Sequence, residues 1–224
     1  MPLAMQKRKH KQTFGEEVAN VLTHGAGVLF GAVALVVLLA SSIRRGGDAW
    51  MVGSVVVYAL CMSSSYVTST LYHASRVAWR KRLLRRFDHS AIYLHIAGTY
   101  TPFALVALRE EGCWGWLLFA VVWTAAVIGV VLSFRRMKKT DNLKTACYLM
   151  MGWVVVIAFK PLLDVCRRTD SMDVLYWLIA GGLFYTVGCV FFFLDKHKYM
   201  HPLWHLFVLG GTVCHFLSIY FLVV

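Results

Sequence analysis

The sequence predicts an all-α polytopic membrane protein, a bundle of seven transmembrane helices, and three observations predict it. The 224 residues are 59% hydrophobic and only 15% charged, with a mean hydropathy of +0.63, which is too apolar for an ordinary soluble domain. Uncharged runs long enough to cross hydrocarbon recur along the chain. The stretches between those runs alternate between rich and poor in Lys and Arg, as successive loops do when they lie on opposite faces of a membrane.

The runs place spans near 18–42, 50–75, 89–108, 112–134, 145–163, 174–194 and 202–224. The fifth has a short uncharged core, and Lys160-Pro161 interrupts it, with Lys160 able to snorkel to the interface. An odd number of spans puts the termini on opposite faces. One face collects Lys7, Arg8, Lys9 and Lys11, then Arg76, Arg80, Lys81, Arg82, Arg85 and Arg86, then Arg135, Arg136, Lys138, Lys139 and Lys144, then Lys196 and Lys198. The other collects Arg44, Arg45, Arg109, Lys160, Arg167 and Arg168. The excess of positive charge places the N-terminus in the cytoplasm, the C-terminus outside and the protein in the cell membrane.

Residues 1–224 read as one domain, with 1–12 a basic cytoplasmic tail and no soluble domain, linker or internal repeat. The net charge of +12 is accounted for by topology and by anionic lipid headgroups, so nucleic acid is not an expected partner. The first apolar run is too long for a signal-peptide core and lacks a small-residue cleavage site, so it is read as a retained span. The six cysteines form no CxxC pair, which argues against a cysteine zinc cluster. Cys113 and Cys166 both fall near the outer face, where a disulfide between them is an open alternative.

Along the chain, Thr13-Phe14-Gly15-Glu16 fits a capping box that starts the first helix. Glu16, Asn20 and His24 follow at i, i+4 and i+8, beside Glu17. Such polar groups at a span entrance form either the polar inner face of a bundle or support for a nearby site. The second span ends with Ser63-Ser64-Ser65, Ser69, Tyr72 and His73, and Ser69 lies one turn before His73. The basic run 76–88 reads as a loop anchored to acidic headgroups. Asp88-His89 then opens the third span, where Asp88 suits an N-cap or a site residue. His95 lies about two turns deeper, and Pro102 is expected to kink the helix, with Gly98 and Thr99 adapting around it. The fourth and fifth spans carry little polar chemistry, and several of their tryptophans mark interfaces. Thr140-Asp141-Asn142 reads as a turn and cap, and Asp170-Ser171-Met172-Asp173 starts the sixth span, whose Gly181, Gly182 and Gly188 suit close packing. Asp195-Lys196-His197-Lys198 returns the chain to the basic face.

The seventh span opens with His201-Pro202-Leu203-Trp204-His205. Two histidines four apart share a helix face, where two imidazoles can grip one metal ion. The second span ends, and the third and seventh begin, on the same face of the membrane. Ser69, His73, Asp88, His201 and His205 therefore arrive at one depth. His73, His201 and His205 with an open position are the ligand set of a catalytic zinc rather than a closed structural one. Asp88 could hold or deprotonate a water that the metal activates, and Ser69 could hydrogen-bond that water or a developing oxyanion. His215 lies about 15 Å of helix rise further along, too far to share the ion with His201.

This pattern, Ser69-x-x-x-His73, then Asp88, then His201-x-x-x-His205, resembles the hemolysin III family, the bacterial branch of the progestin and adipoQ receptors (PAQR), within a superfamily that includes the alkaline ceramidases. The resemblance covers nearly the whole chain. It includes Glu17-x-x-Asn20-x-x-Thr23-His24 and Ile96-Ala97-Gly98-Thr99-Tyr100-Thr101-Pro102. It implies seven spans with the N-terminus inside, zinc on His73, His201 and His205, and Asp88 and Ser69 beside the metal-activated water. It also implies membrane lipids as partners and an acyl-chain lipid as substrate. Three functions follow as expectations: a zinc-dependent hydrolase of a lipid amide or ester, a non-enzymatic regulator or sensor of membrane state with structural zinc, and a membrane-lytic protein. The absence of a charge-lined central span speaks against the last.

Overall fold

The computed structural model describes residues 12–134 and 141–224. The basic tail at 1–11 and the basic residues at 135–140, with Thr140 of the expected cap, lie outside the described residues. The rest is helical: α1 (Phe14–Arg44), α2 (Ala49–Ala74), α3 (Ala78–Pro102), α4 (Trp114–Phe134), α5 (Asp141–Gly152), α6 (Phe159–Arg168), α7 (Met172–Phe193) and α8 (Met200–Val223). Among the described residues, six segments are long and apolar enough to cross a membrane: α1, α2, α4, the stretch Thr145–Arg168, α7 and α8. The protein is thus a multi-pass membrane protein, and α3, with a strongly basic start, is not among those six.

The capping box at the start of α1 is present. Thr13 N–H donates to Glu16 Oε2 at 2.8 Å, and the Glu16 N–H donates to Thr13 Oγ1 at 3.3 Å. The buried Glu16 carboxylate also accepts the Tyr199 N–H at 2.9 Å, which ties the start of α1 to the start of α8. Along α1, Glu16, Asn20, His24, Gly27, Gly31, Ala34 and Leu38 are buried at spacings of three and four. Leu22, Leu29, Val33 and Val36 are exposed on the opposite side, facing where lipid would lie. Gly27 is needed for this packing, because a Cβ there would stand 2.2 Å from the Tyr66 ring of α2. α2 packs against both α1 and α3, and α7 packs against α8, which returns to α1. Tyr58, Tyr66, Leu38 and Met62 are fully buried between them.

Three local features depart from expectation, each for a physical reason. α3 starts at Ala78, so most of the basic run is helical rather than loop, and Asp88 sits inside the helix, where it cannot cap it. Arg, Lys and Leu are strong helix formers whatever their charge. Second, Pro102 ends α3, and the chain continues through one π turn at Phe103–Ala107, with Leu108 N–H bonding to Phe103 O at 3.0 Å. Proline removes a donor and crowds the preceding turn, and widening to a π turn is one way to absorb that. Thr99 and Thr101 return their hydroxyls to the carbonyls of His95 and Ala97 at 2.8 and 2.9 Å.

Third, the fifth crossing is broken earlier than Lys160-Pro161. α5 ends at Gly152, a 3₁₀ stretch spans Val154–Ala158, and α6 begins at Phe159. Pro161 falls in the first turn of α6, a position that suits proline. The exposed Lys160 pairs with Asp164 at 3.0 Å. The broken backbone is served from outside, since the Tyr100 hydroxyl donates to Gly152 O and accepts from Val155 N–H at 3.0 Å. At the expected outer rim, Asp48 caps α2 through Met51 N–H at 2.9 Å and pairs with Arg109 at 2.8 Å. The Met51 donor first, and Arg109 second, hold its carboxyl below the ordinary value. Cys113 is exposed, Cys166 is buried, and both are free thiols.

Candidate metal centre

His73 lies in the last turn of α2, and His201 and His205 lie in the first two turns of α8. One nitrogen from each of the three rings lies within 4.8 Å of the others, a group that could hold a metal ion. The ring centroids are 5.2 Å apart for His73 and His201, 5.1 Å for His73 and His205, and 4.7 Å for His201 and His205. His205 is fully buried and His73 nearly so.

The hydrogen-bond network assigns which nitrogens are free to bind. Glu17 Oε2 lies 2.7 Å from His73 Nδ1, and a carboxylate can only accept, so Nδ1 carries the proton. Asn20 Nδ2 lies 3.2 Å from the same nitrogen, and the charged, closer carboxylate is the stronger partner. Thr23 gives its own hydroxyl proton to the carbonyls of Ala19 and Asn20 at 2.9 and 3.1 Å. Its oxygen therefore accepts from His205 Nδ1 at 3.3 Å. That leaves Nε2 of His73 and of His205 as bare lone pairs, and neither has a protein partner among the described residues. Two buried acceptors with no donor, each steadied through its other nitrogen, fit a metal ion with borderline-soft ligands. His201 Nδ1 lies 3.3 Å from Asp195 Oδ1 but out of hydrogen-bond alignment.

Asp88, in α3, lies near Ser69 of α2 and near the His201 ring, and it lines the same cavity as His73 and His201. Ser69 is buried, and Asp88 partly so. The structure thus brings Ser69 and Asp88 to the side of the histidine group on which His201 stands. His24 lies closer still, its ring stacked on His205 with centroids 3.5 Å apart. His215 points elsewhere, with Nε2 3.2 Å from Leu178 O and its ring against Gly181, where a Cβ would clash at 2.2 Å.

A cavity of about 1500 Å³ opens from this centre. Near the histidines its wall includes Asp88, His73 and His201, and further in it is largely apolar, with Phe103, Leu149, Val156, Leu178 and Ile179. Residues of α5, the 3₁₀ stretch and α7 line it together, so the broken fifth crossing forms one wall.

Sequence reasoning offered Glu17 and Asn20 as support for a nearby site without saying which histidine they serve. Thr23 enters the sequence reading only as part of the entry stretch of the resemblance, with no role assigned to it. Lys81 reads as a headgroup anchor, yet it pairs with the Glu17 that holds His73. The signal for Glu17 was its place at the entrance of α1, level with the end of α2.

A helical membrane bundle that gathers three imidazoles and an adjacent carboxylate at the end of a long apolar cavity defines the class: a polytopic membrane protein with a candidate metal centre. The chain belongs to the Haemolysin-III related family, which it matches over residues 12–216. It is 40% identical over 209 residues to Hemolysin-3 of Bacillus cereus, covering 93% of this chain and 92% of that protein. It is similarly 40% identical over 209 residues to the Hemolysin-3 homolog of Bacillus subtilis, covering 93% and 95%. The human Monocyte to macrophage differentiation factor is 30% identical over 220 residues, covering 95% of this chain and 86% of that protein.

Proposed function

We propose that this protein is a zinc-dependent hydrolase of a lipid amide or ester, embedded in the cell membrane. α3 and the π turn that follows it serve as the seventh crossing, near 89–108. The N-terminus is cytoplasmic and the C-terminus outside, which sets the centre near the inner face. The observation that carries the proposal is the continuity of a large, mostly apolar cavity with the histidine group and Asp88 at one end. Such a cavity suits an acyl chain, and such an end suits the carbonyl that the chain bears.

His73, His201 and His205 would hold the ion. A zinc ion so held lowers the pKa of water to near neutrality and polarises a carbonyl. Asp88 takes a proton from the attacking water as the new carbon–oxygen bond forms. It then returns the proton to the amine or alkoxide as the old bond breaks. Ser69, close to Asp88, offers its hydroxyl to the developing oxyanion. Glu17 and Thr23 keep the Nδ1 protons of His73 and His205 in place. The apolar walls limit bulk water.

The test is hydrolysis of a broad panel of amide- and ester-linked lipids by purified, zinc-loaded protein, with Asp88→Asn and His205→Ala as controls. Release of fatty acid that depends on both residues supports the proposal, and no turnover on the panel contradicts it. A second reading, a sensor of membrane state with zinc as a clamp, is favoured by one observation: the histidine group joins α2 to α8, and Glu17 joins α2 to α1. In that case Asp88→Asn preserves the cellular effect while metal removal loosens the bundle.

A further inference from the structure

We propose that the cavity wall formed by His24, Ser65, Tyr66 and His95 is a binding subsite for a hydroxyl or secondary-amide group carried on the buried chain of a lipid. The inference rests on the cavity being a lipid's seat, as above, and not on turnover.

His24 and His95 are more than nine-tenths buried, and both line the cavity. Both ring nitrogens of His24 and Nε2 of His95 have no protein partner among the described residues. The two rings flank Tyr66 edge-on, at 5.1 and 5.9 Å between centroids. The Tyr66 hydroxyl is already spent on Thr212 at 2.6 Å, so it does not satisfy either ring.

The chemistry of the missing partner can be read from His95. Ser65 donates its proton to Met62 O at 2.8 Å, so its oxygen accepts from His95 Nδ1 at 3.0 Å. His95 Nε2 is then a bare, buried acceptor on a residue that lines the cavity, and it calls for a donor. The uncharged His24 ring supplies one donor and one acceptor. A hydroxyl or an amide N–H with its carbonyl answers that set. A carboxylate or phosphate would meet the His95 lone pair, and an ammonium would be a buried unpaired charge.

The placement suits a group on the chain rather than at the reacting end. Ser65 and His73 are eight residues apart on α2, about 12 Å of helix rise. His95 is seven residues, about 10 Å, into the bundle from Asp88. His24, stacked on His205, fills the interval. The subsite therefore begins beside the metal centre and runs into the hydrocarbon part of the cavity.

The test measures binding to the purified, zinc-loaded full chain of octadecanoic acid and of a series carrying one hydroxyl at successive carbons. At least one hydroxylated acid should bind about tenfold tighter than the parent, the worth of one buried hydrogen bond. His95→Phe and His24→Phe, which keep an aromatic ring and remove the nitrogens, should shrink that preference while zinc content stays unchanged. Ser65→Ala, which frees the His95 tautomer, should weaken it and guards against a misfolded ring variant. Equal binding across the series means the nitrogens hold water only and overturns the subsite, as does no binding at all or a preference that survives both ring variants. A preference without lipid turnover upholds the subsite and refutes the hydrolase. Turnover without a preference does the reverse.

Discussion

Glu17 and His73 form the hinge of the candidate centre: a carboxylate oxygen from the first turn of α1 accepts a hydrogen bond from the Nδ1–H of an imidazole in the last turn of α2, at 2.7 Å. The other oxygen of Glu17 pairs with Lys81 at the start of α3. Three helices thus fix one ring, and with it the direction of the Nε2 lone pair. The same arrangement recurs more weakly at His205, where Thr23 replaces the carboxylate.

Glu17→Ala should therefore weaken metal binding about 10- to 100-fold, the usual cost of losing an outer partner of a ligating histidine. Chelator competition on purified protein measures it. Affinity equal to that of the wild type would remove Glu17 from the centre.

Asp88→Asn should separate chemistry from binding. The amide keeps the shape and loses the base, so zinc content should be unchanged while any lipid hydrolysis falls about 10²- to 10⁴-fold. Turnover at the wild-type rate would show that another group moves the proton.

Tyr100→Phe removes a hydroxyl of α3 that serves the break in the fifth crossing. Gly152 O and Val155 N–H lose that partner at once. Each part-buried group left without its partner costs up to about 1–3 kcal/mol, so thermal unfolding in detergent should occur at a lower temperature. An unshifted transition would show that the break needs no such support.

Gly27→Ala and Gly25→Ala form a paired test of the packing of α1. At Gly27 a methyl group meets the Tyr66 ring, and overpacking of that kind costs about 1–3 kcal/mol. At Gly25 nothing stands within 4 Å, and alanine favours the helix. The first variant should unfold earlier and the second no earlier than the wild type, and equal stabilities would contradict the packing of α1 on α2.

Much of this was legible in the sequence. The apolar runs place α1, α2, α4, α7 and α8, because a crossing helix must be apolar over a fixed length. The capping box at Thr13 and Glu16 is readable because its partners are three residues apart. His73, His201 and His205 could be gathered before any coordinates, because alternating charge in the loops puts distant span ends on one face. What escaped notice depends on other information. The basic run that opens α3 looks like a loop to a search for apolarity, although its residues favour a helix. The break at Gly152 is made tolerable by Tyr100 more than fifty residues earlier, a partner that no local pattern reveals. Thr23 orients His205 across 182 positions, and only the packed bundle shows it.

Elemental analysis of the purified wild-type protein beside His205→Ala tests the central claim most directly. His205 is buried, its Nε2 is bare, and its ring meets both other histidines. The account predicts close to one zinc per wild-type chain and almost none in the variant, with both proteins still folded. A wild-type protein purified without chelators that carries no transition metal, or a variant that keeps its metal in full, would contradict it.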